Sequence, residues 1–127
     1  MNRLTPSLIA SALLLCSASV KAAVTQADAV RIIIGEAANQ GYQGMLGVAD
    51  VLRRKNSTAG FYGIRNRIVD KQPQWVWRMA EKAWKESAKR DVTHGATHFE
   101  NVRAFGWPEW ARGMTVACVI RDQTFFK

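Results

Sequence analysis

The chain has 127 residues, with 18 Lys and Arg against 10 Asp and Glu and a net charge of +8. That length accommodates one compact domain around a single core and excludes a second module beside it. The positive balance points to an anionic partner, for which nucleic acid, anionic lipid and cell-wall polymers all qualify.

Met1-Asn2-Arg3 followed by an apolar block from Leu4 to Leu15 and a Val20-Lys21-Ala22 end reads as a secretory signal peptide over residues 1–22. Its apolar core is too short to span a bilayer, so no stable membrane insertion is expected once cleavage follows Ala22. Leu15 stands where a lipoprotein would carry a small residue before Cys16, which argues against lipidation. The domain is then residues 23–127, which is 105 residues with 16 basic and 10 acidic side chains after Arg3 and Lys21 are lost with the leader. Cys118 remains as its lone cysteine, read as a buried inert thiol, and no internal disulfide can form.

Thr25 with Asp28 three residues on is an N-cap signature, and Val30, Ile33, Ile34, Ala37 and Ala38 follow at helical spacing until Gly41. Tyr42 to Arg54 is predicted as a second helix on the spacing of Met45, Val48, Ala49 and Leu52. Its Arg53-Arg54-Lys55 end reads as a solvated run suited to the helix dipole. Phe61 to Val69 is open between a short helix and an irregular crossing. A third helix is predicted over Trp75–Lys89, with Glu81, Lys82, Lys85 and Glu86 outward. Thr97-His98-Phe99 suggests a short strand, Pro108 restarts a helix carrying Trp110, Ala111, Met114, Ala117 and Cys118 on one face, and Gln123 to Lys127 suggests a strand that pairs with the earlier one. The expected class is α+β, predominantly α, with about four helices and a short β element.

Glu36 stands out in this pattern. On a wheel at about 100° per residue it falls between Ile32 and Ile33, a carboxylate set in an apolar arc. Desolvation there raises its pKa and keeps it protonated near neutral pH, as a general acid for an acetal oxygen requires. Gly35 beside it implies a close approach, with a substrate cleft as one reason and a tight helix crossing as the other. The wheel alone weighs this equally against a Glu36 paired with a basic residue at the edge of the core.

Ile34-Gly35-Glu36-Ala37, Gly44-Met45 and Gly47-Val48-Ala49-Asp50-Val51-Leu52 resemble the opening motif of the SleB/CwlJ-type cell-wall hydrolases. Gly95-Ala96-Thr97-His98-Phe99, Pro108-Glu109-Trp110-Ala111, Met114 and Phe125-Phe126 resemble that family's second half. The resemblance implies a small lysozyme-like domain in which Glu36 is the catalytic acid of a lytic transglycosylase or a muramidase. Peptidoglycan would be its substrate, with no metal or organic cofactor. Arg53, Gln123 and Phe126 depart from the pattern, where an asparagine, a histidine and a tyrosine are usual.

Glu100 is the preferred second acid, ahead of Asp91 and of Asp50, which reads as a solvated charge. Thr97, His98 and Phe99 are candidate substrate-binding residues at a cleft edge, with His98 and Glu100 on one side of the strand and Phe99 towards the core. His94, His98 and Glu100 invite a metal, but Gly95 interrupts any helix that would align the histidines, and none is expected. Trp75, off the stripe of its helix, is the tryptophan expected to reach the surface and stack on sugar. The protein is expected to be exported, to the periplasm or the exterior, and to bind no nucleic acid; its oligomeric state is left open, with a monomer favoured. A non-catalytic wall-binding protein, or a basic module for nucleic acid or membrane, are the competing classes.

Overall fold

The computed structural model describes residues 23–127; the leader expectation concerns residues 1–22 and lies outside them. Helix α1 runs Gln26–Ala37, and the Thr25 hydroxyl caps it by accepting the Asp28 N–H at 3.2 Å, as the capping signature implies. Gly41, at φ +66°, turns the chain directly into α2, Gly41–Lys55. Every residue of α2 from Gly44 to Leu52 is buried, not only the predicted stripe. The reason is its central position. Helices α1 and α3 (Gln74–Ser87) pack on it from one side, and the ring of Phe125 from the sheet lies against Gly47 on another, where an added Cβ would come within 2.6 Å.

Between α2 and α3 the open segment resolves into two 3₁₀ turns, Tyr62–Arg65 and Val69–Lys71. The second is tied to α1 by an Arg31–Asp70 ion pair at 2.9 Å. Pro73 precedes α3, whose inner face buries Val76, Ala80, Ala83, Trp84 and Ser87. Three strands complete the domain: β1 His98–Glu100, β2 Val116–Ile120 and β3 Gln123–Phe126. They form an antiparallel sheet in the order β1-β3-β2, with His98 opposite Phe126 and Ile120 opposite Gln123. The fold is α+β and mostly helical, with four helices and a small sheet.

The helix expected after Pro108 does not form. Only a 3₁₀ turn, Glu109–Ala111, follows the proline, Gly113 reverses at φ +83°, and Val116-Ala117-Cys118-Val119-Ile120 is strand β2. The apolar spacing that imitated a helix belongs to a β-branched run with a register shift between Val116 and Cys118. A four-residue helix, α4 Val102–Phe105, forms instead just before it, capped by the Asn101 side chain accepting the Ala104 N–H at 3.0 Å. No helix among the described residues is long and apolar enough to cross a membrane.

Candidate active site

Glu36 lies in the last turn of α1, half-buried, with its carboxyl in an open cleft of about 980 Å³. The 3₁₀ turn at Tyr62–Arg65 crosses α1 there on two glycines. A Cβ on Gly35 would overlap the Gly63 carbonyl, and a Cβ on Gly63 would come within 2.8 Å of Glu36 Cγ. Close approach of another chain segment is therefore what Gly35 permits. It brings the Gly63 N–H within 2.9 Å of Glu36 Oε1, to which it donates. Among the described residues no ion pair to Glu36 forms, so the alternative of a basic partner is not what the fold provides. Burial raises the carboxyl above its ordinary pKa, the Gly63 hydrogen bond opposes the rise, and the charge of Glu100 adds to it.

Strand β1 brings Glu100, Phe99 and His98 to the same cleft, and Thr97, just before the strand, joins them. Thr97 donates its N–H to the Phe126 carbonyl at 2.8 Å, which anchors the segment. Phe99 packs ring to ring between Phe61 and Phe125, with centroids 6.1 and 5.8 Å away. The His98 ring lies 5.1 Å from that of Trp110, and its Nδ1 is 2.9 Å from the Thr97 hydroxyl. Burial, with the Lys55 charge nearby, lowers the His98 pKa, favouring the neutral ring. His94 sits in the preceding loop at φ +54° and does not line the cleft. Among the described residues no group of three His, Cys, Asp or Glu side chains is placed to hold a metal ion.

Three expectations need correction. Trp75 is 61% exposed, as its place off the stripe predicted, but it stands at the start of α3 and does not line the cleft. The cleft tryptophan is Trp110, held edge-on to Phe126 at 5.4 Å. Asp50 is not solvated: it is 4% exposed, accepts the Thr93 N–H at 3.1 Å, bonds the Thr93 hydroxyl, and pairs with Arg54 at 3.2 Å. Nor is the Arg53-Arg54-Lys55 run simply a solvated helix end. Arg53 stacks on Trp84 at 3.7 Å and donates to the Trp84 carbonyl and the Ser87 hydroxyl, Arg54 also reaches Asp91 at 3.0 Å, and Lys55 lines the cleft. Tyr62, 84% exposed at the rim, and Asn101 are cleft residues that the sequence reading did not single out.

The fold matches that of a known structure. The crystal structure of the catalytic domain of the Bacillus cereus SleB protein aligns with a TM-score of 0.60, over 80% of this chain and 88% of that one, at 20% sequence identity. The chain has a SleB-like fold. No protein-family model matches the sequence, and comparison with curated proteins gives no match. Within the SleB-like fold the three departures from the family pattern fall in different places. Arg53 is used between α2 and α3, and Phe126 is fully buried beneath Trp107 and Trp110; neither lines the cleft. Gln123 does.

Proposed function

We propose that the protein cleaves the glycan strands of peptidoglycan as a lytic transglycosylase, breaking the MurNAc-GlcNAc β-1,4 bond with Glu36 as the sole acid and base. One observation carries this reading: a half-buried carboxyl in an open cleft, with a raised pKa, a single hydrogen bond from Gly63 and no ion pair to a cation among the described residues. Burial shifts such a group towards its protonated form, from which it can donate a proton. The likeness to a catalytic domain of the same fold supports it.

In the proposed reaction Glu36 protonates the glycosidic oxygen, the C1–O bond breaks, and the GlcNAc alcohol leaves with the proton. The positive charge left on C1 and the ring oxygen faces a cleft containing Glu100, whose carboxylate would stabilise it. Glu36, now ionised and steadied by the Gly63 N–H, takes the proton of the MurNAc C6 hydroxyl as O6 bonds C1. The proton returns to Glu36 and no water is consumed. Thr97, His98 and Phe99, with Trp110 stacked on His98, offer a mixed polar and aromatic wall to the sugars. Residues 1–22 would direct the domain of residues 23–127 to the periplasm or exterior, where its basic balance suits the anionic wall.

The test is digestion of purified peptidoglycan by the protein and by Glu36→Gln, with products read by mass spectrometry. Anhydro-muropeptides from the unsubstituted protein alone are expected. Hydrated reducing ends would instead mean a muramidase and make Glu100 the second acid. No products from a folded protein would overturn the enzyme reading in favour of wall binding.

A further inference from the structure

Among the described residues five polar or charged residues are buried: Gln40, Asp50, Ser87, Thr93 and Gln123. The side chains of the first four are committed to the fold. Gln40 bonds Asp122 through both ends of its amide, at 3.1 and 3.3 Å, Asp50 and Thr93 bond each other, and the Ser87 hydroxyl donates to the Trp84 carbonyl at 2.6 Å. Gln123 is different. It is 7% exposed, and its Oε1 is the one buried side-chain oxygen or nitrogen among the described residues with no hydrogen-bond partner. It also lines the cleft that holds Glu36.

The backbone around it is fixed on both sides. Gln123 pairs with Ile120 across the β2–β3 hairpin, whose turn is gripped by Gln40 at Asp122, and Phe125 and Phe126 anchor the rest of β3 in the core. The strand therefore has little freedom to shift and satisfy the orphaned oxygen. The oxygen itself is enclosed, and it meets a ligand when the soft terminal torsion of the amide turns it to the cleft. A buried polar group left unbonded destabilises the protein that carries it, so its retention at a cleft calls for a partner that arrives with the ligand.

We propose that Gln123 is a specificity-determining residue whose amide is completed by the bound sugar, accepting from a hydroxyl or acetamido N–H of an N-acetylhexosamine. This rests on the glycan-cleaving reading above. A site built to bond a donor rejects ligands that lack it, because the buried group is then left unpaired. The same logic makes Gln123 a place where stability is given up for binding.

The experiment measures binding of a tetrasaccharide of alternating N-acetylglucosamine and N-acetylmuramic acid to the Glu36→Gln protein, which binds without cutting. Gln123→Met in that background is compared for affinity and thermal stability. Affinity should weaken at least tenfold, about 1.4 kcal/mol, while the melting temperature holds or rises. Unchanged affinity overturns the proposal and leaves the glycan reading intact. A melting temperature that falls, or a variant that does not fold, also overturns it, because the amide would then be structural. Absence of binding by Glu36→Gln itself removes the glycan reading and this proposal with it.

Discussion

Glu36 and Asp50 lie on consecutive helices, and the fold treats the two carboxylates in opposite ways. Asp50, on α2, is almost wholly enclosed, bonded by the backbone and hydroxyl of Thr93 and paired with Arg54, which itself reaches Asp91. Glu36, on α1, has one backbone hydrogen bond from Gly63, no ion pair among the described residues and an open cleft before it. A carboxylate whose lone pairs are consumed by donors is an anchor, withdrawn from chemistry. One that is desolvated but poorly compensated has its pKa raised, which favours the form able to give up a proton. On the proposed reading, the degree of compensation, more than burial, separates a structural acid from one free for chemistry.

Exchanging the two acids for neutral side chains breaks the comparison most directly. Glu36→Gln should lower turnover of peptidoglycan by roughly 10²–10⁴-fold, the contribution of a general acid, with the fold retained. It should also stabilise the protein at neutral pH. The native pKa of Glu36 is raised, chiefly by burial, so its ionised form opposes folding. Stability from this group is fully present below the unfolded pKa and is lost as pH rises through the higher native one. The variant should thus melt above the unsubstituted protein at neutral pH, with the gap closing below about pH 4. Asp50→Ala should do the reverse, costing about 3 kcal/mol in denaturant unfolding by stranding Thr93 and Arg54, while the remaining folded protein keeps its activity.

A smaller change sharpens the same contrast from the backbone. Gly35→Ala forces a methyl into the Gly63 carbonyl, and the 3₁₀ turn at Tyr62–Arg65 must move off α1. Overpacking of this kind costs about 1–3 kcal/mol. The same movement removes the N–H that orients Glu36, so activity should fall further than stability. Assays of turnover and unfolding on one preparation would show whether the two losses separate.

Much of this contrast was legible in the sequence, and the missing part has a common cause. Glu36 stands out because its neighbours on α1 are local, and the wheel places it among isoleucines without any tertiary information. Gly35 announced a close approach but not its partner, since Gly63 lies 27 residues from the glutamate it bonds. Asp50 was misread as solvated because its saturating partner, Thr93, is 43 residues away. Trp75 and Trp110 show the same limit: periodicity predicts which side chain leaves a helix face, not which wall of which cleft it meets. Strand β2 was hidden by an apolar spacing that fits both periods, and only its pairing with β3 decides between them. Local pattern carried α1, α2 and α3 and marked Glu36; sequence-distant pairing carried the cleft.

Glu100 gives the smallest expected effect and the finest test, because it acts on Glu36 without touching the bond that orients it. Its charge is the last of the three influences on the Glu36 carboxyl and pushes the pKa upwards. Neutralising it in Glu100→Gln lowers the Glu36 pKa towards its ordinary value. Since donation requires the protonated acid, activity falls as pH rises through that pKa, and the alkaline limb of the pH profile should move to lower pH. If Glu100 acts only through its field, turnover at the optimum should change several-fold at most and the products remain anhydro-muropeptides. A loss of about 10² or more at every pH, with hydrated products from the unsubstituted protein, would give Glu100 a direct part in proton transfer or nucleophilic attack. The protein would then use two acids in one cleft, and the contrast with Asp50 would extend to a pair.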